Sequence, residues 1–197
     1  FYDTDAVLRR SITCDFRRAL SEGSLIKHIA VKYSAIRGAD PGSPGRSASK
    51  QGADLEAEID EVCDALVGCA RIIYSMFDFY ASLGASSNVS MMGFNAYKQF
   101  IADGAFAIDR SAHCDDSHLD QLFVNVNAAG AVAAAKLFRE TGIQSKGSRA
   151  FGRSETLHML IRIAIMRYIL DGDETDVSQA VVRLCERLES KLVPQAK

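Results

Sequence analysis

Residues 151–168 read F-G-R-S-E-T-L-H-M-L-I-R-I-A-I-M-R-Y, and this stretch decides how the rest of the chain is read. Its apolar positions Leu157, Leu160, Ile161, Ala164, Ile165 and Tyr168 recur at i, i+3, i+4, i+7, i+8 and i+11, the rhythm of one helix face turned towards a core. Glu155, just ahead of that run, is positioned to cap the helix or to pair with a nearby Arg. Downstream, Asp171-Gly172-Asp173 breaks the pattern. Asp176 then caps a last helix, with Gln179 three residues on, whose stripe is Ala180, Val181, Leu184, Cys185, Leu188 and Leu192, and Pro194 closes it.

Upstream the pattern stays helical. Residues 3–37 form one or two helices capped by Asp3 or Thr4, with a stripe of Val7, Leu8, Ile12, Phe16, Ala19 and Leu20, a break at Gly23, and Arg9, Arg10, Arg17 and Arg18 on a solvated face. Residues 38–53, with two of the three prolines and no large apolar side chain in the Gly38–Gly52 run, read as a flexible linker. The organisation expected is therefore an N-terminal helical arm over 1–37, the linker over 38–53, and a helical domain over 54–193. That domain opens with one long helix from Asp54 to Leu83, whose acids Glu56, Glu58, Asp60 and Glu61 suit its N-terminal end. An extended segment Val89-Ser90-Met91 precedes a helix from Phe94, and Ser117 caps a further helix carrying Leu119, Leu122, Phe123 and Val126.

Composition excludes more than it identifies. A net charge of −2 gives no basic excess for nucleic acid, and charged residues interrupt every apolar run long enough to suggest a membrane span. The five cysteines form no Cys-x-x-Cys pair, and Cys63 and Cys69 do not face each other on a helix. Their usage fits a reducing, intracellular, cytoplasmic setting. His113, Cys114, Asp115, Asp116 and His118 form a local cluster that reads as a polar loop entering a helix. The chain opens Phe1-Tyr2-Asp3 and is expected to be a piece of a longer protein.

Two helix-loop-helix units emerge when the loops are set against the EF-hand pattern, in which loop position 8 forms a bridge with its twin and position 12 carries an acid. With Val89 at position 8, the ligand positions of the first loop hold Ser82, Gly84, Ser86, Asn88, Ser90 and Gly93, none a carboxylate. In the second, Phe151 takes position 8 and Glu155 position 12, and Asn127 stands at position 1 only if residues 128–147 are an insertion. Calcium needs several oxygens carrying negative charge, so no metal and no cofactor is expected. The alternative is a calcium-sensing module with one noncanonical site built from Asn125, Asn127 and Glu155.

The segments I-Y-S-M-F-D-F-Y-A, F-N-A-Y-K-Q-F-I, L-D-Q-L-F-V-N-V-N, residues 151–168 and D-V-S-Q-A-V-V-R-L resemble the degenerate EF-hand-like modules of large flagellar and cytoskeletal proteins of protists and ciliated cells. The resemblance implies an all-α fold, an EF-hand-like pair of units with the N-terminal arm and a C-terminal capping helix. It also implies a structural or docking role in a larger protein of the cytoskeleton or axoneme, with protein partners such as microtubule components. Thr156 follows the acid where such segments usually carry Phe.

No Gly-x-Ser-x-Gly, phosphate loop or His-Glu-x-x-His occurs, and His28, His113, His118 and His158 are scattered, so no enzyme is expected. His158 reads as an exposed or capping histidine with no nucleophile adjacent, and the Tyr74, Phe77 and Tyr80 aromatics as core rather than a ligand box. Arg153, Arg162, Arg167, Arg183 and Arg187 fall on the last two helices. If they converge on one face, they offer a surface for an acidic protein such as a tubulin tail.

Overall fold

The computed structural model describes residues 4–21, 24–36, 48–83, 90–141 and 150–192, and most of them are helical. Its elements are α1 (Asp5–Ser21), α2 (Leu25–Ile36), α3 (Ala48–Gly68), α4 (Ala70–Leu83), β1 (Met92–Gly93), α5 (Phe94–Asp103), α6 (Asp116–Thr141), β2 (Ala150–Phe151), α7 (Arg153–Ala164) and α8 (Val177–Leu192). A π-helical turn, Ile165–Ile169, prolongs α7. The expected all-α class is what the chain adopts. No helix among the described residues is long and apolar enough to cross a membrane.

Helices α4 and α5 flank β1, and α6 and α7 flank β2, so two helix-strand-helix units meet where the strands pair antiparallel. Met92 lies opposite Phe151, and Gly93 opposite Ala150. Phe151 thus has Met92 as its partner in place of the expected Val89, which lies outside the described residues. The reason is local. In each unit the paired apolar residue is followed by one glycine and then by the first helical residue, Met92-Gly93-Phe94 and Phe151-Gly152-Arg153.

Helix α7 occupies the centre and packs on α1, α6 and α8. Its periodicity predicts one buried stripe, yet Ser154, Thr156, His158, Met159 and Ile163 are buried as well as Leu157, Leu160, Ile161 and Ala164. A helix enclosed on all sides must find partners for its polar groups. Thr156 does so by donating its hydroxyl to the Gly152 carbonyl at 2.8 Å. Helix α8 keeps the predicted amphipathic stripe, burying Val177, Ala180, Val181, Leu184, Cys185 and Leu188 against α3 and α7. Asp176 caps it as expected, accepting from the Gln179 N–H at 3.0 Å.

Four expectations about organisation are corrected. The N-terminal segment is not an arm: Leu8, Ile12, Phe16 and Ala19 of α1 and Leu25 and Ile29 of α2 are buried in the common core. Helix α3 begins at Ala48, so residues 48–53 of the expected linker are helical, while 38–47 lie outside the described residues. The long helix is divided at Cys69, directly after Gly68, the weakest helix former in that region. Glu58 consequently sits inside α3, where its carboxylate accepts the Val177 N–H at 3.0 Å and caps α8 from a distance of 119 residues along the chain.

The fourth correction concerns α6, which does not end at Asn127 but runs on to Thr141. Residues 128–141 of the supposed insertion are therefore helix, and 142–147 lie outside the described residues. An alanine-rich run sustains a helix through one glycine. At Gly130 the absence of a side chain leaves room for Glu155, because a Cβ would stand 3.2 Å from its Oε1. The start of α6 is capped by Asp115 and not by Ser117, its carboxylate accepting the His118 N–H at 2.8 Å.

Candidate functional site

The strand pair is the joint on which both units turn, and its surroundings are aromatic. Met92 and Phe151 are both buried. The Phe151 ring lies 4.5 Å from that of Phe123 on α6 and 5.8 Å from that of Tyr97 on α5, and Phe123 also touches Phe94 at 5.0 Å. The Tyr97 hydroxyl donates to the Leu119 carbonyl, and burial holds its proton on well beyond the ordinary phenol range. Lys98 of α5 reaches Asp120 of α6 at 2.7 Å. Rings and the Lys98–Asp120 ion pair thus fasten the two units around the bridge.

Glu155 is the acid beside this joint. Its Oε2 accepts the Gly152 N–H at 3.0 Å and the Ser154 hydroxyl at 3.2 Å, which makes it the N-terminal cap of α7. Asn125 and Asn127 do not join it in a cage. Both lie on α6, where Asn125 accepts from Gln121 at 3.0 Å and Asn127 donates to the Phe123 carbonyl at 3.1 Å. Among the described residues no group of three acidic, histidine or cysteine ligands includes Glu155.

The group that does form is Glu58, Glu61 and Asp176, with ligand oxygens within 4.8 Å of one another. Two of its carboxylates are engaged at the start of α8: Glu58 holds the Val177 N–H, and Asp176 holds the Gln179 N–H. This cluster answers the unsatisfied donors of a helix N-terminus.

Two of the five arginines stand apart, and three gather near Tyr168 and the end of α5. Arg153 stands 4.9 Å over the Tyr74 ring and 3.6 Å from Asp78, tying α7 to α4. Arg162 turns to α2, where its Nη1 donates to His28 Nε2 at 2.7 Å. Arg187 donates to the carbonyls of Gly104 and Ala105 at 2.9 and 2.6 Å, and Arg167 to that of Phe106. These are the carbonyls just past α5, where the helix dipole favours a cation. They hold Ala105 at φ 47°, a left-handed conformation that non-glycine residues rarely take. Arg183 pairs with Glu174 at 2.8 Å and lies 4.8 Å over the Tyr168 ring. The five thus do not share one face: Arg153 and Arg162 turn to α4 and α2, while Arg167 and Arg183 flank the same Tyr168 ring and Arg187 lies close enough to feel the charge of Arg167.

One polar group is not legible in the sequence. Ser24 Oγ lies 3.4 Å from His158 Nε2, and His28 bonds Arg162, so two pairs spaced four residues apart on each side form a ladder between α2 and α7. His158 is not exposed but buried, with Nδ1 unpartnered among the described residues. Burial, and then the charges of Arg162 and His28, push its pKa down to about 4. Burial, and then Arg162, take His28 to about 4 as well. The ring beside Ser24 is therefore neutral and weakly basic at neutral pH, and among the described residues no carboxylate orients it. The one signal for this group is His158 and Arg162 standing at i and i+4 within an otherwise apolar run.

Tyr74, Phe77 and Tyr80 are packed in the core, with Tyr80 donating to Asp103 at 2.7 Å. A surface cavity of about 630 Å³ lies elsewhere, between α1 and the α3–α4 junction, where Asp5, Arg9, Asp64 and Arg71 surround Leu8 and Ala70. The His113–His118 cluster is a loop entering α6, as expected. No protein-family model matches the chain, and comparison with curated proteins and with solved structures gave no match.

Proposed function

We propose that the chain is a non-enzymatic protein-interaction module built on an EF-hand-like pair of units that works without calcium, within a larger cytoskeletal or flagellar protein. The observation that carries this reading is the antiparallel pair Met92–Phe151, each followed by one glycine and an outgoing helix. Taking both as loop position 8, the first loop has Ala85, Ser87, Val89, Met91, Gly93 and Ala96 at the six ligand positions. The second has Gln144, Lys146, Ser148, Ala150, Gly152 and Glu155. With this register the second loop needs no insertion. One acid in twelve positions, and that one engaged in capping, falls short of the charge that calcium requires.

Calorimetric titration of the whole chain with calcium tests the reading, and no saturable heat is expected up to millimolar concentrations. A low-micromolar site that disappears in Glu155→Gln overturns it in favour of the calcium-sensing alternative at Asn125, Asn127 and Glu155. The cytoskeletal setting rests on the resemblance of the helical segments. Co-sedimentation with microtubules at low salt checks the microtubule partner, and a chain that stays in the supernatant removes it.

A further inference from the structure

Helix α2 is held to α7 by two polar rungs. Arg162 Nη1 donates to His28 Nε2 at 2.7 Å, and Ser24 Oγ lies 3.4 Å from His158 Nε2. A guanidinium can only donate, so His28 offers a bare lone pair at Nε2 and carries its one proton at Nδ1. A second proton would turn Nε2 into a donor facing a donor and set two cations in contact. That rung therefore exists only while the ring is neutral. His158 is 1% exposed, and its Nδ1 has no partner among the described residues. A proton added there would be a buried charge with nothing to accept it.

No acid among the described residues offsets these charges. Arg162 is the charge that acts on His28, and Arg162 and His28 are those that act on His158. Acids on the helices packed around them are turned elsewhere. Asp15 of α1 accepts from the Tyr74 hydroxyl, Asp5 pairs with Arg71, and Glu58 of α3 holds the Val177 N–H. Asp120 of α6 pairs with Lys98, and Glu155 caps α7. Glu56, Asp60, Glu61 and Asp64 of α3, Glu186 and Glu189 of α8, and Lys27 of α2 itself are exposed. The apolar share of the contact is Leu25 and Ile29, the buried side chains described on α2. We propose that the two rungs are an acid-operated latch, which releases α2 from α7 as a unit while the other helices stay folded. In the released helix His28 and Arg162 each turn to water, and the apolar seat of Leu25 and Ile29 is uncovered. The direction follows from the rings, both held near 4 against an ordinary 6.5, so that protons bind the released form first as the pH falls below 6.5.

The test is hydrogen exchange of the whole chain, read by mass spectrometry between pH 7 and pH 4.5 and corrected for the intrinsic exchange rate at each pH. Peptides of α2 are expected to lose roughly ten- to a hundredfold in protection relative to those of α1 and α8. In the double variant His28→Gln, His158→Gln, a glutamine carbonyl accepts from Arg162 at every pH, and the protection of α2 should no longer depend on pH. His28→Gln alone leaves His158 to titrate and should keep only part of the response, which gives a readout even where the double variant does not fold. The proposal fails if α2 loses protection in step with α1 and α8, or keeps it fully at pH 4.5. It fails equally if either glutamine variant responds to pH as the parent chain does.

Discussion

The two helix-strand-helix units share a frame and diverge in the helix that leaves the bridge. In the first, α5 opens with exposed Phe94, no side chain caps it, and Ala96 stands where a capping acid would be. In the second, α7 opens with Arg153 against α4, is capped by Glu155, and is enclosed along nearly its whole length. One backbone plan thus yields a surface helix and a central one. The bridge sets where a helix starts, while its neighbours decide what it must satisfy. For α7 those neighbours are α1, α6 and α8.

Truncation on each side of the bridge probes this asymmetry most severely. Phe151→Ala should cost about 3–5 kcal/mol, since it removes a fully buried ring contacting Phe123 and Tyr97. Met92→Ala should cost less, about 2–3 kcal/mol, because an unbranched thioether leaves a cavity that closes more readily. Equal losses in denaturant titrations would mean that the second unit does not dominate the core.

Acid should act through the second unit. His158 and His28 both have folded pKa values near 4, below the ordinary 6.5, so the unfolded chain takes up protons first. Stability is then complete above about pH 6.5 and is lost as the pH falls towards 4. At about 1.4 kcal/mol per tenfold change in proton affinity, buried His158 accounts for roughly 2–3 kcal/mol, and the half-exposed His28 for less. His158→Leu should flatten the stability profile between pH 6.5 and 4. A slope like that of the parent chain would place the acid response elsewhere.

Removing the cap that only the second unit has is a smaller perturbation. Glu155→Ala should lower stability by about 1 kcal/mol, and hydrogen exchange should quicken first at Gly152 and the opening turn of α7. The mildest change belongs to Gly130→Ala, where a gain in helix propensity of about 1 kcal/mol is set against the 3.2 Å approach to Glu155. In the parent chain the net change should stay within about 0.5 kcal/mol, and in the Glu155→Ala background the full gain should appear. Additive effects in that double-mutant cycle would show that the glycine does not make room for the carboxylate.

These contrasts also explain how far the sequence can be read. The stripe on α8 and its Asp176 cap are plain, because both are local and periodic. On α7 the same periodic reading finds one face and misses the others. Ser154, Thr156, His158 and Arg162 look like a polar side, and only distant partners on α2 or a backbone carbonyl at Gly152 allow most of them to be enclosed. Gly130 shows no local sign that its role is close approach, which depends on where Glu155 lands. Sequence places the bridge three residues early because Val89 is the better strand former. The true register is marked instead by the repeated order of apolar residue, glycine and helix start at Met92 and Phe151. Glu58 looks like an acid for its own helix, and nothing local reveals that it serves Val177.

The ladder between α2 and α7 joins residues 134 apart, Ser24 to His158 and His28 to Arg162. Because both rungs have the same separation, the two helices run side by side in the same direction. That fact sets a timetable for synthesis. At ordinary translation rates α2 leaves the ribosome on the order of ten seconds before the surface that receives it exists. Through that interval Leu25 and Ile29, later buried against the core, have no final neighbour on α7. Those side chains therefore stay uncovered until α7 has been made, and a chaperone that shelters apolar helices would act over that interval.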